Sequence, residues 1–277
     1  MLWEKPFSGK KSQICITKQW LPADDFLQQA YGDGTAAKDK EQKRKEKMKL
    51  GLIVAMEKEL KQIVKLFKDV RSEDCGGRTY YLGSLSEGCE AVVVQSGIGK
   101  VNSALGAADM IARYRPEAII STGVAGGAAT SLEVCDVVVG TAYCYHDVYC
   151  GEECAPGQIP GLPQKFEASP RLLAKASAIS CPVTVRTGLI ATGDWFVDSK
   201  EKMRSILQTF PDAVAVDMES CSIAQACRAA GVPFLSMRII SDIPLRDDKA
   251  KMYYDFWERM AEGSFEVTKA LLHSLAE

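Results

Sequence analysis

From residue 48 onwards, short apolar runs alternate with segments whose apolar residues recur every three or four positions. The first pattern is typical of buried strands and the second of amphipathic helices. Residues 78–95 form a predicted hairpin, whereas most of the other predicted strands are separated by helices. The sequence therefore predicts one α/β domain, a three-layer α/β/α sandwich with a central mixed β-sheet. Strands are predicted at residues 50–55, 78–85, 89–95, 118–122, 134–143, 183–191, 213–216 and 233–240, and helices at 57–67, 100–114, 169–179, 199–208, directly after 219, and at 253–275.

Composition and net charge argue against some classes of protein. The chain has 277 residues, of which 47% are apolar, and a formal net charge of −2. No apolar run reaches the roughly 18–20 residues needed to cross a bilayer, and the first residues lack a signal-peptide apolar region. We therefore expect a cytoplasmic protein with no membrane partner. The nearly neutral net charge also argues against a nucleic-acid partner.

The charges are unevenly distributed. Residues 1–49 carry eleven Lys and Arg against seven Asp and Glu, a net +4, whereas the remainder carries −6. The basic excess lies mostly in residues 38–47, a run without an apolar stripe, which is typical of a solvated helix or a disordered arm. We expect residues 1–47 to be a charged, disordered extension and residues 48–277 to be the functional domain.

The cysteines and histidines offer one potential metal cluster. Most of the ten cysteines stand singly in apolar surroundings, as buried thiols do. His146, Cys150 and Cys154 could supply three zinc ligands, but no fourth ligand is evident and the glycines and proline nearby argue against a regular helix. We therefore predict no metal site.

Two carboxylates follow one of the predicted strands. Asp217 and Glu219 come directly after the apolar run 213–216, where the next helix begins. Carboxylates at a helix N-terminus are stabilised by its free N–H groups, so both side chains could simply cap the helix. The alternative is a ligand site, because open α/β sheets bind ligands at the carboxyl ends of strands and a carboxylate can accept hydrogen bonds from sugar hydroxyls.

Two glycine-rich segments also follow predicted strands. Ser96-Gly-Ile-Gly-Lys100 lacks the third glycine of a dinucleotide-binding fingerprint, since Asn102 stands there, and it lacks the spacing of a P-loop. Thr122-Gly-Val-Ala-Gly-Gly127 is expected to be a loop whose missing side chains let a ligand approach the backbone. Together the two segments predict the floor of a binding site.

Polar and aromatic residues at the remaining strand ends complete a candidate site. Glu59 lies at the start of the first predicted helix, and Asp242 follows the strand that contains Arg238. Trp195 and Phe196 follow another strand, and one of these rings could stack on a planar base. Three carboxylates, an arginine, an aromatic wall and a glycine floor are suited to breaking a bond between a sugar and a base.

Six motifs carry a family resemblance. They are Ala55-Met-Glu-Lys-Glu59, Ser96-Gly-Ile-Gly-Lys100, Thr122-Gly-Val-Ala-Gly-Gly127, Thr192-Gly-Asp-Trp-Phe196, Val216-Asp-Met-Glu219 and Arg238-Ile-Ile-Ser-Asp242. In this order they resemble the motifs of the 5′-methylthioadenosine/S-adenosylhomocysteine nucleosidases, over about residues 48–275. The resemblance implies a nucleoside phosphorylase-like fold, a homodimer, and irreversible hydrolysis of the adenine–ribose bond with no metal or organic cofactor.

The resemblance also implies roles for individual residues. Asp242 matches an acid that protonates N7 of adenine, Glu59 a base that takes a proton from water, and Glu219 a residue that binds the ribose hydroxyls. Such cleavage builds positive charge on the ribose, which carboxylates stabilise, and a neutral leaving base needs a proton donor. The other residues expected to bind the substrate are Ile98, Gly126, Phe196, Val197, Met218, Arg238, Ser241 and Tyr254.

Two departures from the family pattern leave alternatives open. Val124 stands where some members have a serine, and residues 147–157 do not match the stretch through which a partner subunit usually supplies aromatics, so the preference at the 5′ position stays open. One alternative is a phosphorylase of the same fold, although its phosphate would need arginines and none occurs from residue 51 to residue 70. The others are a hydrolase of another adenine nucleoside, such as 6-amino-6-deoxyfutalosine, and a nucleoside-binding protein without catalytic activity.

Overall fold

A computed structural model describes residues 48–179, 184–247, 252–253, 255–256 and 265–276. All of these residues belong to one compact unit. The predicted extension at residues 1–47, the site residue Tyr254 and part of the helix predicted at 253–275 lie outside the described residues. Within the described part of the chain, no helix is long and apolar enough to cross a membrane.

Strands and helices alternate largely as the sequence predicts. The strands are β1 (Met48–Val54), β2 (Lys68–Cys75), β3 (Arg78–Ser86), β4 (Cys89–Gln95), β5 (Ala118–Gly127), β6 (Val137–Tyr145), β7 (Phe166–Glu167), β8 (Val185–Thr192), β9 (Ala213–Asp217) and β10 (Phe234–Asp242). The helices are α1 (Glu57–Val64), α2 (Lys100–Tyr114), α3 (Pro170–Ser177), α4 (Lys200–Thr209), α5 (Ser220–Ala229) and α6 (Phe265–Ala276).

The described strands form one mixed sheet, part of which closes into a ring. Strand β5 pairs in parallel with β10 and antiparallel with β9, and β6 and β8 complete the ring between them. Strands β1, β4, β3 and β2 extend from β5 as an open arm. Helix α2 packs against α5, and α3 packs against α6. The predicted α/β/α class with a mixed sheet is confirmed, and the ring is an additional feature that local periodicity does not reveal.

Strand β10 carries polar side chains through the core. Each of its residues, Phe234–Asp242, is buried. Polar groups in such surroundings need hydrogen-bond partners, because burying them unpaired costs free energy. The hydroxyls of Ser236 and Ser220 are 2.6 Å apart, and the Ser236 N–H donates to the Tyr143 hydroxyl at 2.7 Å. These bonds fix β10 against its neighbours and thereby the residues at its carboxyl end.

The segment 122–127 corrects one prediction. It is not a loop, because β5 continues through Gly127 and pairs with two strands there. The missing side chains instead allow close packing. A Cβ atom on Gly126 would lie 3.1 Å from Val216 Cγ2, and one on Gly127 would lie 3.2 Å from Ile240 Cγ2. The glycines therefore let three strands approach one another at the edge of the candidate site.

Candidate active site

One cleft collects residues from the ends of several strands. Its empty volume, including the part that is open to solvent, is about 670 Å³. Its walls come from segments that follow β1, β4, β8 and β9, from the second half of β5, and from the end of β10. The lining residues are Ala55, Met56, Glu59, Ile98, Val124, Ala125, Gly126, Trp195, Phe196, Val197, Val216, Asp217, Met218, Glu219, Ser241, Asp242 and Tyr253.

The cleft brings most of the sequence-predicted site residues together. Nine of them line it: Glu59, Ile98, Gly126, Phe196, Val197, Met218, Glu219, Ser241 and Asp242. Arg238 is not part of the lining, is 2% exposed, and lies behind two of the carboxylates. Tyr254 falls outside the described residues, whereas the preceding Tyr253 lines the cleft. The lining residues not named from the sequence include Ala55, Ala125 and Val216, small apolar residues whose only signal was their position within the motifs or beside them.

Asp217 is a structural carboxylate. It accepts hydrogen bonds from Thr192 Oγ1 at 2.6 Å, from Arg238 Nε at 2.7 Å, and from the Ser220 N–H at the start of α5 at 3.2 Å. The Arg238 and Asp217 side chains are 2% and 1% exposed. Removing one partner of such a buried ion pair typically costs about 3–5 kcal/mol of stability. The capping interpretation therefore fits Asp217, which also fixes Arg238.

Glu219 faces the cleft and does not cap the helix. Its Oε1 accepts a hydrogen bond from the Gly99 N–H at 3.1 Å, and its Oε2 lies 3.6 Å from Arg238 Nη2. Among the described residues, Nη2 of Arg238 has no hydrogen-bond partner. Burial raises the pKa of Glu219 to about 7, although the charge of Arg238 lowers it. The ligand-binding interpretation therefore fits Glu219, which keeps acceptor capacity for a bound molecule.

Removing this carboxylate should change how stability depends on pH. Because folding raises the pKa of Glu219 from 4.5 to about 7, the native state holds a proton there more tightly than the unfolded chain. The wild type therefore loses stability as the pH rises through this window, and Glu219→Gln does not. We expect the Tm of the variant relative to wild type to increase by about 5 °C between about pH 5 and about pH 8, measured by calorimetry.

Glu133→Gln is the matched control for this measurement. Its side chain is 70% exposed, and its hydrogen bond with Arg246 holds the pKa of Glu133 below its ordinary value. A lowered pKa affects stability only in the acidic range, so its Tm difference should stay constant between the same two pH values. A constant difference for Glu219→Gln as well would contradict the raised pKa.

Glu59 enters the cleft from the first turn of α1. Its Oε2 accepts hydrogen bonds from the N–H groups of Ala55 and Met56 at 3.0 and 2.9 Å, and its Oε1 accepts one from Val124 N–H at 3.1 Å. Burial raises the pKa of Glu59, although Arg238 and the three N–H groups act in the opposite direction. A fixed carboxylate with a raised pKa has the properties of a general base. Val124 supplies only a backbone N–H here, since its side chain has no hydroxyl.

Because Gly123 has no side chain, the Glu59 carboxylate can lie close to its backbone. A Cβ atom at this position would lie 2.7 Å from Glu59 Oε1 and 3.0 Å from Arg238 Nη1. Gly123→Ala should therefore displace the carboxylate, whereas the flexible end of the side chain can move without unfolding the sheet. We expect kcat to fall by about 10²-fold, as displacements near 1 Å can cause, with Tm changed by only a few °C.

Gly51→Ala is the control for this substitution. A Cβ atom on Gly51 would lie 2.6 Å from Met110 Sδ, which is an equally close contact with the flexible end of a side chain. Gly51 lies in β1 and contacts the core rather than the cleft. The expected result is a similar change in Tm with kcat close to that of the wild type. Equal losses of kcat in both variants would show that the effect of Gly123→Ala is not local to Glu59.

Asp242 ends β10 at an irregularity in the sheet. The register with β5 shifts between Ile240 and Asp242, which places Asp242 opposite Gly126. Bulges of this kind re-aim side chains, and here Ser241 and Asp242 both line the cleft. The Ser241 hydroxyl lies 2.7 Å from Asp242 Oδ1 and 3.3 Å from the Ala125 carbonyl. Ser241 therefore orients the Asp242 carboxyl group.

The aromatic side of the cleft is formed by a segment without regular secondary structure. Trp195 and Phe196 are 45% and 60% exposed. The Phe196 ring meets Tyr253 edge-on, with centroids 6.2 Å apart, and the Trp195 ring lies 5.3 Å from that of His146. Large exposed rings at the mouth of a cleft provide stacking surfaces for a planar ligand. The arrangement can therefore hold a planar base between aromatic rings and a sugar beside carboxylates.

His146 and the two cysteines of the potential metal cluster have other environments. Burial lowers the pKa of His146, whose ring packs on Trp195. Cys150 is exposed and Cys154 is half-buried, and both are free thiols. In the described ranges, no group of three or more His, Cys, Asp or Glu side chains is arranged to hold a metal ion.

Known proteins with similar sequences are nucleosidases. The model of the family described as "Phosphorylase superfamily" matches residues 49–273. The 5′-methylthioadenosine/S-adenosylhomocysteine nucleosidase of Hydrogenovibrio crunogenus is 37% identical over 232 residues, which cover 82% of this chain and 99% of that protein. The enzyme of the same name from Desulfotalea psychrophila is 35% identical over 235 residues, covering 83% and 99%.

Solved structures with similar folds include nucleosidases of the same name and a futalosine hydrolase. The nucleosidase of Colwellia psychrerythraea in complex with adenine has a TM-score of 0.77 at 36% identity, covering 83% of this chain and 96% of that one. The enzyme of Neisseria meningitidis in complex with methylthio-immucillin-A has a TM-score of 0.76 at 33% identity, covering 82% and 99%. The futalosine hydrolase of Helicobacter pylori has a TM-score of 0.75 at 31% identity, covering 82% and 98%.

Proposed function

Because the chain belongs to the phosphorylase superfamily and, within it, to the 5′-methylthioadenosine/S-adenosylhomocysteine nucleosidases, we propose that it hydrolyses the N-glycosidic bonds of these two nucleosides. The products are adenine and the corresponding 5-thioribose. That the chain is an N-glycosyl hydrolase follows from its family, and the proposal concerns its substrates and the residues that act on them. Water is the nucleophile, and no metal or organic cofactor takes part.

Three carboxyl groups have separate roles in this proposal. Water attacks C1′ of the ribose while the bond from C1′ to adenine breaks and its electron pair moves onto the base. Asp242 gives a proton to N7, so that adenine leaves as a neutral molecule. Glu59 takes the proton from the attacking water, and Glu219 accepts hydrogen bonds from the ribose hydroxyls. The burial of all three at one cleft supports this division.

The remaining predicted residues bind the substrate around these groups. Arg238 is held by Asp217 with its Nη2 donors directed toward Glu219, which suits it to hold the attacking water near that carboxylate. Ser241 orients Asp242, and Met218 packs against the sugar. The base and the 5′ group are assigned to Ile98, Gly126, Phe196, Val197 and Tyr254, of which the first four line the cleft.

The position of Glu59 is the observation that favours hydrolysis over transfer to phosphate. A phosphate nucleophile would approach the same side of the ribose as the attacking water, beside two buried carboxylates that repel an anion. The arginine beside these carboxylates, Arg238, already forms an ion pair with Asp217, with 2.7 Å between Arg238 Nε and Asp217 Oδ2. A carboxylate is what activation of a water molecule requires, so the site supports hydrolysis better than phosphorolysis.

The direct test is adenine release from 5′-methylthioadenosine, measured by chromatography with and without added phosphate. We expect equal rates in both buffers, with free methylthioribose as the second product. A phosphate requirement, with a sugar 1-phosphate as product, would show that the enzyme is a phosphorylase. Absence of adenine in both buffers would rule out this nucleoside as the substrate.

A second candidate substrate is 6-amino-6-deoxyfutalosine. The likeness to the futalosine hydrolase of Helicobacter pylori favours it, since that structure aligns over 98% of its chain at 31% identity. This candidate requires the same cleavage of an adenine nucleoside, with a bulkier 5′ group. The ratio of kcat/KM for the two nucleosides under identical conditions decides between them.

We propose that residues 48–277 carry the catalytic activity and that two copies of the chain form a homodimer. The family match begins at residue 49, so a chain that lacks residues 1–47 should keep its activity. Val101 and Leu105 are 69% and 51% exposed and stand four positions apart on one face of α2, and Tyr149 is 77% exposed. We propose that these side chains contribute to an interface with a second copy, which sedimentation equilibrium tests.

A further inference from the structure

The irregular segment 193–197 must be fixed by contacts outside itself. It carries Trp195 and Phe196 at the mouth of the cleft but belongs to no helix or strand. Its Asp194 N–H donates a hydrogen bond to Asp147 Oδ2 at 2.8 Å. The Asp194 Oδ1 atom in turn accepts a hydrogen bond from the Lys100 N–H, also at 2.8 Å, at the start of α2. The loop after β6 and the first residue of α2 therefore both anchor the segment through Asp194.

An ion pair holds the start of α2 and the loop after β6 together. Lys100 Nζ lies 2.8 and 2.7 Å from the two carboxylate oxygens of Asp147, and 3.8 Å from Asp194 Oδ2. The Asp147 side chain is 8% exposed and that of Lys100 is 22% exposed, so water screens their attraction less than it would on an open surface. The Lys100 ammonium also lies 5.4 Å from the centre of the Tyr145 ring. Asp147 accepts two charge-assisted hydrogen bonds from the Lys100 ammonium and one from the Asp194 N–H, so its side chain has little freedom to move.

The start of α2 also contacts the opposite wall of the cleft, which carries Glu219. Gly99, which precedes Lys100, donates its N–H to Glu219 at 3.1 Å. Its φ of 98° lies in the region that favours glycine, and a Cβ atom there would approach Asp194 Oδ1 to 3.0 Å. Two successive N–H groups thus bind one carboxylate from each wall, Glu219 and Asp194. This dipeptide therefore links the aromatic segment to Glu219, in addition to the hydrogen bond that the Gly193 N–H donates to the Asp217 carbonyl at 3.1 Å.

We propose that Lys100, Asp147 and Asp194 form a positioning cluster that holds the base-binding segment in register with the sugar-binding carboxylate. This inference rests on the proposed function, because it assumes that one bound nucleoside contacts both walls. Neither Asp147 nor Asp194 enters the chemical step. Replacing either side chain should therefore weaken the binding of the nucleoside and of free adenine, and should leave kcat largely unchanged.

Asp194→Ala tests the cluster, with Asp194→Asn as the conservative variant. The alanine removes the acceptor for the Lys100 N–H, whereas the asparagine keeps an oxygen at that position. We expect Asp194→Ala to raise KM and the Kd for adenine by about tenfold each, with kcat within about threefold of wild type, and Asp194→Asn to restore most of the binding. Asp212→Asn is the matched control, because its pair with Lys165 at 2.6 Å lies on the exposed surface away from the cleft.

Hydrogen exchange gives a readout that needs no substrate. Amides of residues 193–197 should exchange faster in Asp194→Ala than in the wild type, and at the wild-type rate in Asp212→Asn. Unchanged exchange and unchanged adenine affinity in Asp194→Ala would overturn the proposal, as would a loss confined to kcat. The turnover of the wild type tests the proposed function separately, since the exchange comparison holds whichever nucleoside is the substrate.

Discussion

Replacing Asp242 by asparagine should lower kcat by about 10³-fold, within the range that general acids contribute. The departing adenine gains an electron pair, and without a proton at N7 it would leave as an anion. Asparagine can donate a hydrogen bond to N7 but cannot transfer a proton to it. Its shape is nearly that of aspartate, so the contact with the Ser241 hydroxyl, 2.7 Å in the wild type, can be kept. KM should accordingly change little, and steady-state kinetics separates the two parameters.

The control for this variant is Asp247→Asn, the same chemical change five positions further along. The Asp247 side chain is 94% exposed and pairs with Lys200 on the surface. It should retain kcat and KM, because its partner Lys200 is not among the residues that line the cleft. If Asp242→Asn kept kcat within tenfold of wild type, the assignment of Asp242 as the acid would be wrong.

Glu59→Gln should reduce kcat by a similar factor, about 10³-fold, for a different reason. The carboxylate accepts hydrogen bonds from three N–H groups, two at Oε2 and one at Oε1. A glutamine has one acceptor oxygen, so its NH₂ group must face a backbone N–H and the side chain shifts. The variant therefore loses both the basic atom and its position. Binding of adenine, measured by calorimetry, should persist because the aromatic wall is unchanged.

The pH dependence of the wild type gives an independent check on Glu59. Because burial raises its pKa, protonation should remove the base at a pH above the ordinary range of a glutamate, and kcat/KM should fall on that acidic side. The exposed Glu57 on the same helix is the control, since Lys61 holds the pKa of Glu57 below its ordinary value. Glu57→Gln should keep both rate and pH profile. Wild-type activity in Glu59→Gln would assign the base to another residue.

The sequence predicts elements whose pattern is local. Helix α2 begins and ends as predicted, because its apolar period starts after Gly99 and stops at Tyr114. The sequence does not predict strand β2, because Lys68–Cys75 is mostly exposed and polar and has no apolar alternation. The glycines of residues 122–127 predict a loop, since glycines usually mark turns, whereas in the structure they make room for the Glu59 and Val216 side chains. Its pairing with β10 depends on residues far along the chain.

The site could be predicted as a set of motifs but not as a set of contacts. Position alone does not distinguish Asp217 from Glu219, since both follow the apolar run 213–216 and either could bind a ligand. Their difference arises from partners distant in sequence, since Thr192 and Arg238 occupy the oxygens of Asp217. The ion pair of Lys100 is likewise not predictable from motifs, because its partner Asp147 lies outside all six of them.

The closed ring of strands also limits when activity can arise during synthesis. Glu59 belongs to the first helix of the described chain, whereas Arg238 and Asp242 belong to its last strand. That strand enters the ring by pairing Phe234 with Ile119, so the ring closes through a contact between distant parts of the chain. A nascent chain that ends before β10 therefore lacks Arg238, Asp242 and one wall of the cleft. We expect the site to be complete only after most of the polypeptide has left the ribosome.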